Sequence, residues 1–255
     1  MVALHVPDSI SIQSHRGIYE ARFTPDLLTN PSVLLEGEPH FIIDSNIARL
    51  YSKQLHSILA HPNVILVDAT EQNKSLDSAS QIITSLVAQK TRRNHHLVAI
   101  GGGIIQDLVC FIASTLLRGV SWQLVPTTLL AQADSCIGSK SSINVGDAKN
   151  IVGTFYPPTK IYIDQNFLRT LHQNEIHSGI GEILKVHAID SAESFNRVAS
   201  SLDAITKDLD ALQPFIYSAL AIKKRFIEID EFDEGIRNIF NFGHSFGHAI
   251  ESATN

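Results

Sequence analysis

The sequence predicts an α/β protein: a mostly parallel sheet with helices on both faces, followed by an all-helical second domain. Three observations carry this. Short runs rich in Val and Ile ("HFIID", "VILVDA", "HLVAIGGG", "WQLVP" and "KIYID") recur as far as Asp164. Helically spaced segments, "SNIARLYSKQLHSIL" and "SLDSASQIITSLVAQK", separate the earlier runs, the alternation expected of parallel strands covered on both sides. Beyond "YPPTKIYID" the strand pattern stops, and "EIHSGIGEILKVHAI", "ALQPFIYSALAIKKRFIEID" and "RNIFNFGHSFGHAIES" have helical spacing.

Taken in order, "SISIQSHRGIYEARFT" alternates with a period of two around "HRG" and reads as a β-hairpin. The strand and helix segments above follow. The run "LRGVSWQLVPTTLLAQADSCIGSKSSINVGDAKNIVGTFYPP" is punctuated after its strand by Gly and Ser, and reads as a long loop of the kind that carries function. Neither Pro157 nor Pro158 can continue a ladder, so the pair marks a hinge. The division is therefore an α/β domain over residues 1–160 and a helical domain over 161–255.

Composition bounds the function. At 255 residues, with 44% hydrophobic and 18% charged residues, the chain is globular rather than disordered. A net charge of −6 argues against a broad nucleic-acid face, so bound anions must meet a few local cations. Cys110 and Cys136 form no CxxC pair, which suits a reduced, cytoplasmic chain. No secretory leader is visible and no run approaches the roughly 20 apolar residues that span a bilayer; no membrane partner is expected.

In "HLVAIGGGIIQDLVCFIASTLLRG" a buried strand meets three glycines and then a helix. Gly101, Gly102 and Gly103 let a ligand approach the backbone, and the helix start offers free N–H groups to a phosphate. The alternative is a plain tight turn, and GGG is not the GxGxxG of a standard Rossmann fingerprint. Asp44 and Asn46 in "IIDSN", and Glu71 and Lys74 in "DATEQNKSL", stand at the ends of other strands. Each alone is an ordinary helix cap; together they outline a Rossmann-like ligand crevice.

A second group is cationic. Arg118, Asp134, Lys140, Lys149 and Asn150 lie in the long run; Lys223 and Arg237 precede the final histidines. Glu182 and Lys185, three apart on a helix, share a face and form either an ordinary ion pair or a metal ligand beside a substrate cation. In "FNFGHSFGHAIES" the i,i+4 pair His244 and His248 has the spacing of a zinc-chelating helix, without the Glu of HExxH. Two core histidines are the other reading.

The runs "EQNKSL", "GGGIIQDL", "LRGV", "VPTTLLAQADSCIGSK", "KNIVGTFYPP", "GIGEILK" and "FNFGHSFGHAIE", in this order, resemble the 3-dehydroquinate synthase family of sugar-phosphate cyclases. The likeness runs from about "FIIDSN" to the last residue. It implies NAD⁺ lined by Asp44, Asn46, Glu71, Lys74, Gly101 to Gly103, Asp107, Thr127, Thr128, Lys140, Lys149 and Thr170. It implies a divalent metal, Zn²⁺ or Co²⁺, on Glu182, His244 and a further histidine beyond Asn255, which moves His248 to the substrate pocket. A phosphorylated seven-carbon keto acid would then meet Arg118, Asp134, Lys140, Asn150, Lys185, Lys223, Arg237, Asn241 and His248. Arg118 would reach a neighbouring subunit's site, implying a homodimer.

The implied reaction oxidises a ring hydroxyl with NAD⁺, eliminates phosphate, returns the hydride and closes the ring by an aldol step. Ser139 in "IGSKSS" and the segment "NVGDAKN" depart from the family pattern. Lys223, Arg237, Asn241 and His248 keep the type suited to a carboxylate-bearing substrate, against the carboxylate-free cyclases of secondary metabolism. Family members continue well past "GHAIES", so the chain reads as a fragment expected to bind metal weakly and turn over little. If the stop is natural, the alternative is a non-catalytic NAD-binding or dimerisation module.

Overall fold

The computed structural model of the chain describes residues 6–241 and 243. The opening hairpin forms as its alternation requires. Strands β1 (Ser9–Ser14) and β2 (Gly17–Phe23) pair antiparallel about His15 and Arg16, and Ile10 and Ile12 point into the core. Then come β3 (Pro39–Asp44), β4 (Val64–Val67), β5 (His96–Gly101), β6 (Ser121–Pro126), the hairpin β7 (Lys140–Val145) and β8 (Ala148–Phe155), and β9 (Lys160–Ile163). Seven strands make one sheet in the order β1-β2-β9-β6-β5-β3-β4, parallel at every junction except β1–β2.

Period-two burial explains why these strands read as continuous apolar runs. Phe41 and Ile43 of β3 and Val98 and Ile100 of β5 pack on one face with Ile47 and Ile58, from helices α1 (Ser45–Leu50) and α2 (His56–Leu59). Ile42, Leu97 and Ala99 pack on the other face. There they meet Ile82 and Leu86 of α3 (Leu76–Ala88) and Ile105, Leu108 and Ile112 of α4 (Gly103–Thr115). The connection after β3 therefore covers one face and that after β5 the other. β3 and β5 are neighbours, so their C-terminal ends flank a topological switch point, where helices diverge and leave a crevice.

After β9 the described chain is helical: α5 (Gln173–Asp190), α6 (Ala192–Ala199), α7 (Leu202–Ile205), α8 (Gln213–Ile229) and a 3-10 turn, Ile236–Asn241. Ile183 and Val186 of α5 and Ile216 and Leu220 of α8 join the same apolar cluster as Leu124 and Ile161 of the sheet. β9 lies beyond residue 160 yet sits between β6 and β2, so the change from strands to helices falls after Ile163.

Three expectations need correction. The long run after β6 is not a loop: it holds a π-helical turn, Ala131–Ser135, and the β7–β8 hairpin. Ile143 and Val152 face each other across that hairpin, and Gly146, at φ 56°, supplies the positive dihedral its turn needs. The segment from Ser45 to Leu59 is two helices, because Tyr51 (φ −110°) leaves helical geometry and its hydroxyl donates to the Asn166 and Phe167 carbonyls at 3.0 and 3.1 Å. The final helical pattern begins as the 3-10 turn; His244 and His248 lie outside the described residues.

Helix α5 approaches the sheet so closely at Gly179 that a Cβ there would stand 2.4 Å from Leu129 Cγ. Gly179→Ala is therefore expected to destabilise the protein by about 2 kcal/mol in urea unfolding. Adding Leu129→Ala should cost less than the sum of the single changes, because the two side chains compete for one space.

Candidate active site

Two cavities and a polar network hold most of the residues singled out from the sequence. The first cavity, about 320 Å³, opens at the C-terminal ends of β3 and β6. Asp44, Asn46, Thr127, Thr128 and Thr170 line it, joined by Arg49, His172 and Glu175. Asp44 caps α1 by accepting from Asn46 N at 2.9 Å, and burial raises its carboxyl above the ordinary range. Thr170 Oγ1 shares a 2.9 Å hydrogen bond with the Tyr51 hydroxyl. Beside this cavity Gly101 ends β5, and Gly102 precedes α4 with no side-chain cap. A Cβ on Gly102 would press to 2.9 Å of Thr128 Cγ2, whereas one on Gly103 would meet nothing within 4 Å. The start of α4 is thus open, with its N–H groups unclaimed by any side chain.

At the far edge of the crevice Lys74 Nζ pairs with Asp107 Oδ2 at 2.6 Å and donates to Asn150 Oδ1 at 2.9 Å. Burial raises the Asp107 carboxyl, and Lys74 only partly offsets this. Asn144 closes the network: its amide donates to Glu71 Oε1 at 2.9 Å, and its carbonyl accepts Asn150 N at 2.8 Å. Asn150, at φ 55°, turns its amide toward Lys74 and Ser142. Asn150 thus stands beside Lys74 and Ser142, while the cation cavity is lined by other residues.

The second cavity, about 300 Å³, collects charge from four elements and the segment after α8. Asp134 comes from the π-helical turn, Lys140 from β7, Glu182 and Lys185 from α5, and Lys223 from α8; Asp233, Arg237 and Asn241 complete that side. Lys140 pairs with Asp233 at 2.7 Å and Lys185 with Glu182 at 2.7 Å. The Lys223 ammonium is 2.7 Å from Asp134 Oδ1, but its hydrogen bond runs to the Asp134 carbonyl at 2.9 Å. That carboxylate oxygen is buried against the ammonium, which thus serves both acceptors of Asp134. The Asp134 carbonyl is available because the π turn ends after Ser135 and Gly138 N donates instead to the Tyr19 hydroxyl at 2.7 Å.

Four lining cations face three carboxylates, Asp134, Glu182 and Asp233, so the cavity carries an excess positive charge inside a net-acidic chain. Burial raises the Glu182 carboxyl, the Asp134 charge raises it further, and Lys185 and Lys223 pull it back. Two carboxylates held close in a poorly solvated place favour a further cation between them. Glu182 offers one oxygen ligand for a divalent metal; among the described residues no three His, Cys, Asp or Glu converge on a point. Cys110 and Cys136 are buried, and burial pushes each thiol up to about 12, so neither is a ready nucleophile.

Arg118 and Lys149 stand apart. Both are exposed and line neither cavity; Arg118 sits in a left-handed turn at φ 64°, next to Leu117 at φ 51°. Sequence reasoning missed Asn144, Asp233 and Tyr51. Asn144 could have been found from its place in the alternation "SSINV". Nothing in the acidic run "DEFDEG" singles out Asp233.

Two family models match the chain: 3-dehydroquinate synthase N-terminal over residues 64–178, and 3-dehydroquinate synthase C-terminal over 179–255. The 3-dehydroquinate synthase of Enterococcus faecalis is 41% identical over 215 residues, 83% of this chain and 60% of that protein. That of Clostridium acetobutylicum is 36% identical over 249 residues, 96% of this chain and 68% of its own length. Among solved structures, ValA, the 2-epi-5-epi-valiolone synthase of Streptomyces hygroscopicus with NAD⁺ and Zn²⁺ bound, superposes with a TM-score of 0.83. It shares 28% identity, covering 92% of this chain and 68% of ValA. A 2-deoxy-scyllo-inosose synthase complex shares the fold at a TM-score of 0.80 and 23% identity, over 96% of this chain and 69% of its own. The chain spans about 60% of the length of several curated relatives it matches, and it belongs to the 3-dehydroquinate synthase family.

Proposed function

We propose that this chain is the NAD-binding and cation-bearing body of a 3-dehydroquinate synthase. The reaction is conversion of 3-deoxy-D-arabino-heptulosonate 7-phosphate to 3-dehydroquinate and phosphate. One observation carries the reading: Lys140, Lys185, Lys223 and Arg237 converge with Glu182 on a single cavity. A substrate bearing both a carboxylate and a phosphate is the ligand such a cavity suits.

The residues present fit both implied cofactors. Gly101 to Gly103, Asp44, Asn46, Thr127, Thr128 and Thr170 would hold NAD⁺ in the switch-point crevice. The uncapped start of α4 and the empty space off Gly103 suit its pyrophosphate. Asp107, Glu71 and Lys74 would close the crevice's far edge, with Asn150 in support. Glu182 and His244 would hold the metal, Zn²⁺ or Co²⁺; the largely buried Glu182 carboxyl, with the Asp134 charge beside it, suits a cation there. When bound, NAD⁺ supplies a recycled hydride acceptor and the metal a Lewis acid for the substrate hydroxyls.

The chain's own side chains do the rest. Arg237 offers a fork of N–H donors for an anionic group, and Lys140 a point charge that can leave Asp233 for the substrate. Lys223 fixes the Asp134 loop so that Asp134 and Glu182 face the ligand together. Neutralising the phosphate by ammonium groups in a desolvated cavity makes it a better leaving group. Arg118, exposed on its turn, is assigned to the neighbouring site of a homodimer, and the protein to the cytoplasm. No described helix is long and apolar enough to cross a membrane.

Turnover is tested by following inorganic phosphate with NAD⁺ and metal present. Release that needs both, and stops with chelator, supports the reading; release with neither refutes it. The similarity to ValA makes a carboxylate-free heptulose phosphate the control substrate, and faster turnover of that control would favour a related cyclase. Gly103→Ala should leave the unfolding midpoint unchanged or higher, since its Cβ meets no protein atom, yet weaken NAD⁺ binding at least about tenfold by calorimetry. Arg237→Lys should raise KM about tenfold with a smaller change in kcat, because one ammonium cannot replace a bidentate fork.

A further inference from the structure

The segment that carries Arg237 and pairs with Lys140 is anchored from outside the cavity, by the amino-terminal hairpin. β1 is an edge strand, so its outward N–H groups would ordinarily be left unpaired. Here carboxylates claim one of them and the amide just past the strand: Gln13 N donates to Glu228 Oε1 at 2.8 Å, and His15 N, in the turn, to Glu231 Oε2 at 2.7 Å. The other Glu231 oxygen lies 3.0 Å from His15 Nδ1, so this carboxylate, 11% exposed, grips one residue through backbone and ring together. The Phe232 ring lies tilted against the His15 ring at 5.3 Å and edge-on to Phe155 of β8 at 5.1 Å.

The same segment organises the cavity. Glu231 O accepts from Arg237 Nη1 at 2.7 Å. The Asp230 carboxylate gathers the backbone N–H groups of Glu234, Gly235 and Arg237 at 2.9, 2.8 and 3.0 Å. Asp233, in the left-handed region at φ 61°, pairs with Lys140. Residues 230–237 thus form a strap: one side is tied to the β1–β2 turn, and the other sets Arg237 and Lys140. The hairpin lies ahead of the residues that either family model matches, 64–178 and 179–255.

We infer that His15 and Glu231 are positioning residues for the substrate: their pairing fixes the strap that aims Arg237 and Lys140 into the cavity. This rests on the function proposed above for that cavity. In the full chain, His15→Ala should raise KM about tenfold with kcat within about twofold, the loss of one hydrogen bond to a charged group. Amide exchange at Glu234, Gly235 and Arg237 should quicken about tenfold, while exchange in β5 and NAD⁺ affinity stay as in the parent. His15→Asn, which keeps a donor near the Nδ1 position, should restore both readings, and Glu231→Ala should repeat the loss.

Parental KM and parental exchange in His15→Ala overturn the inference. So does failure of His15→Asn to restore them, or an equal loss of NAD⁺ affinity, which would mark a general weakening of the fold. If His15→Ala does not fold, unchanged strap exchange in Glu231→Ala overturns it equally. A parent without turnover offers no KM to compare, and the exchange comparison alone then decides the strap.

Discussion

The contact on which the site depends is that between Lys223 and the π-helical turn at Asp134. A lysine 8% exposed from α8 meets both the carboxylate and the main-chain carbonyl of a residue that belongs to the sheet's own connection. Breaking such a buried pair by removing one partner costs about 3–5 kcal/mol, far more than a surface ion pair is worth. It holds α8 against the turn that follows β6, and α5, bearing Glu182, packs on that turn through Gly179. Two helices and one strand connection are thereby fixed around a single cavity.

The crevice has a different origin. It needs no special pairing, because it follows from chain direction: helices leave β3 and β5 for opposite faces of the sheet, and a gap must open between them. What the sequence adds is permissiveness at that gap, with glycines at the β5–α4 junction and small hydroxyl residues after β6. The hairpin β7–β8 then closes one side, delivering Lys140 to the cation cavity and Asn150 to Lys74 from one element. The crevice and the cation cavity thus share an insertion between two adjacent parallel strands, β6 and β9.

Charge in this chain is sorted rather than abundant. An acidic protein gathers its useful cations where each is balanced by a carboxylate that can yield: Lys140 by Asp233, Lys185 by Glu182, Lys223 by Asp134. Such pairs hold the cations in place, Lys185 and Lys223 largely buried and Lys140 half exposed. Glutamates also finish the exposed edge of the sheet at β1, where unpaired donors would otherwise invite another strand.

The sequence by itself determined the layers. The strands were legible because residues buried on both faces must be apolar throughout, and α3, α4, α5 and α8 because one face of each repeats every turn. It also marked Gly101 to Gly103, Glu182, Lys185, Lys223 and Arg237, since glycine runs and helix-spaced charges are local signals. Only the tertiary structure decided that the Gly-rich run after β6 is a π turn and a hairpin, that Asn150 serves Lys74, and that Tyr51 interrupts a helix. It also decided that Asp233 and Glu231 couple distant segments. Each of these depends on partners many residues away, and hydrogen bonds and ion pairs between remote residues leave no periodicity in the chain that makes them.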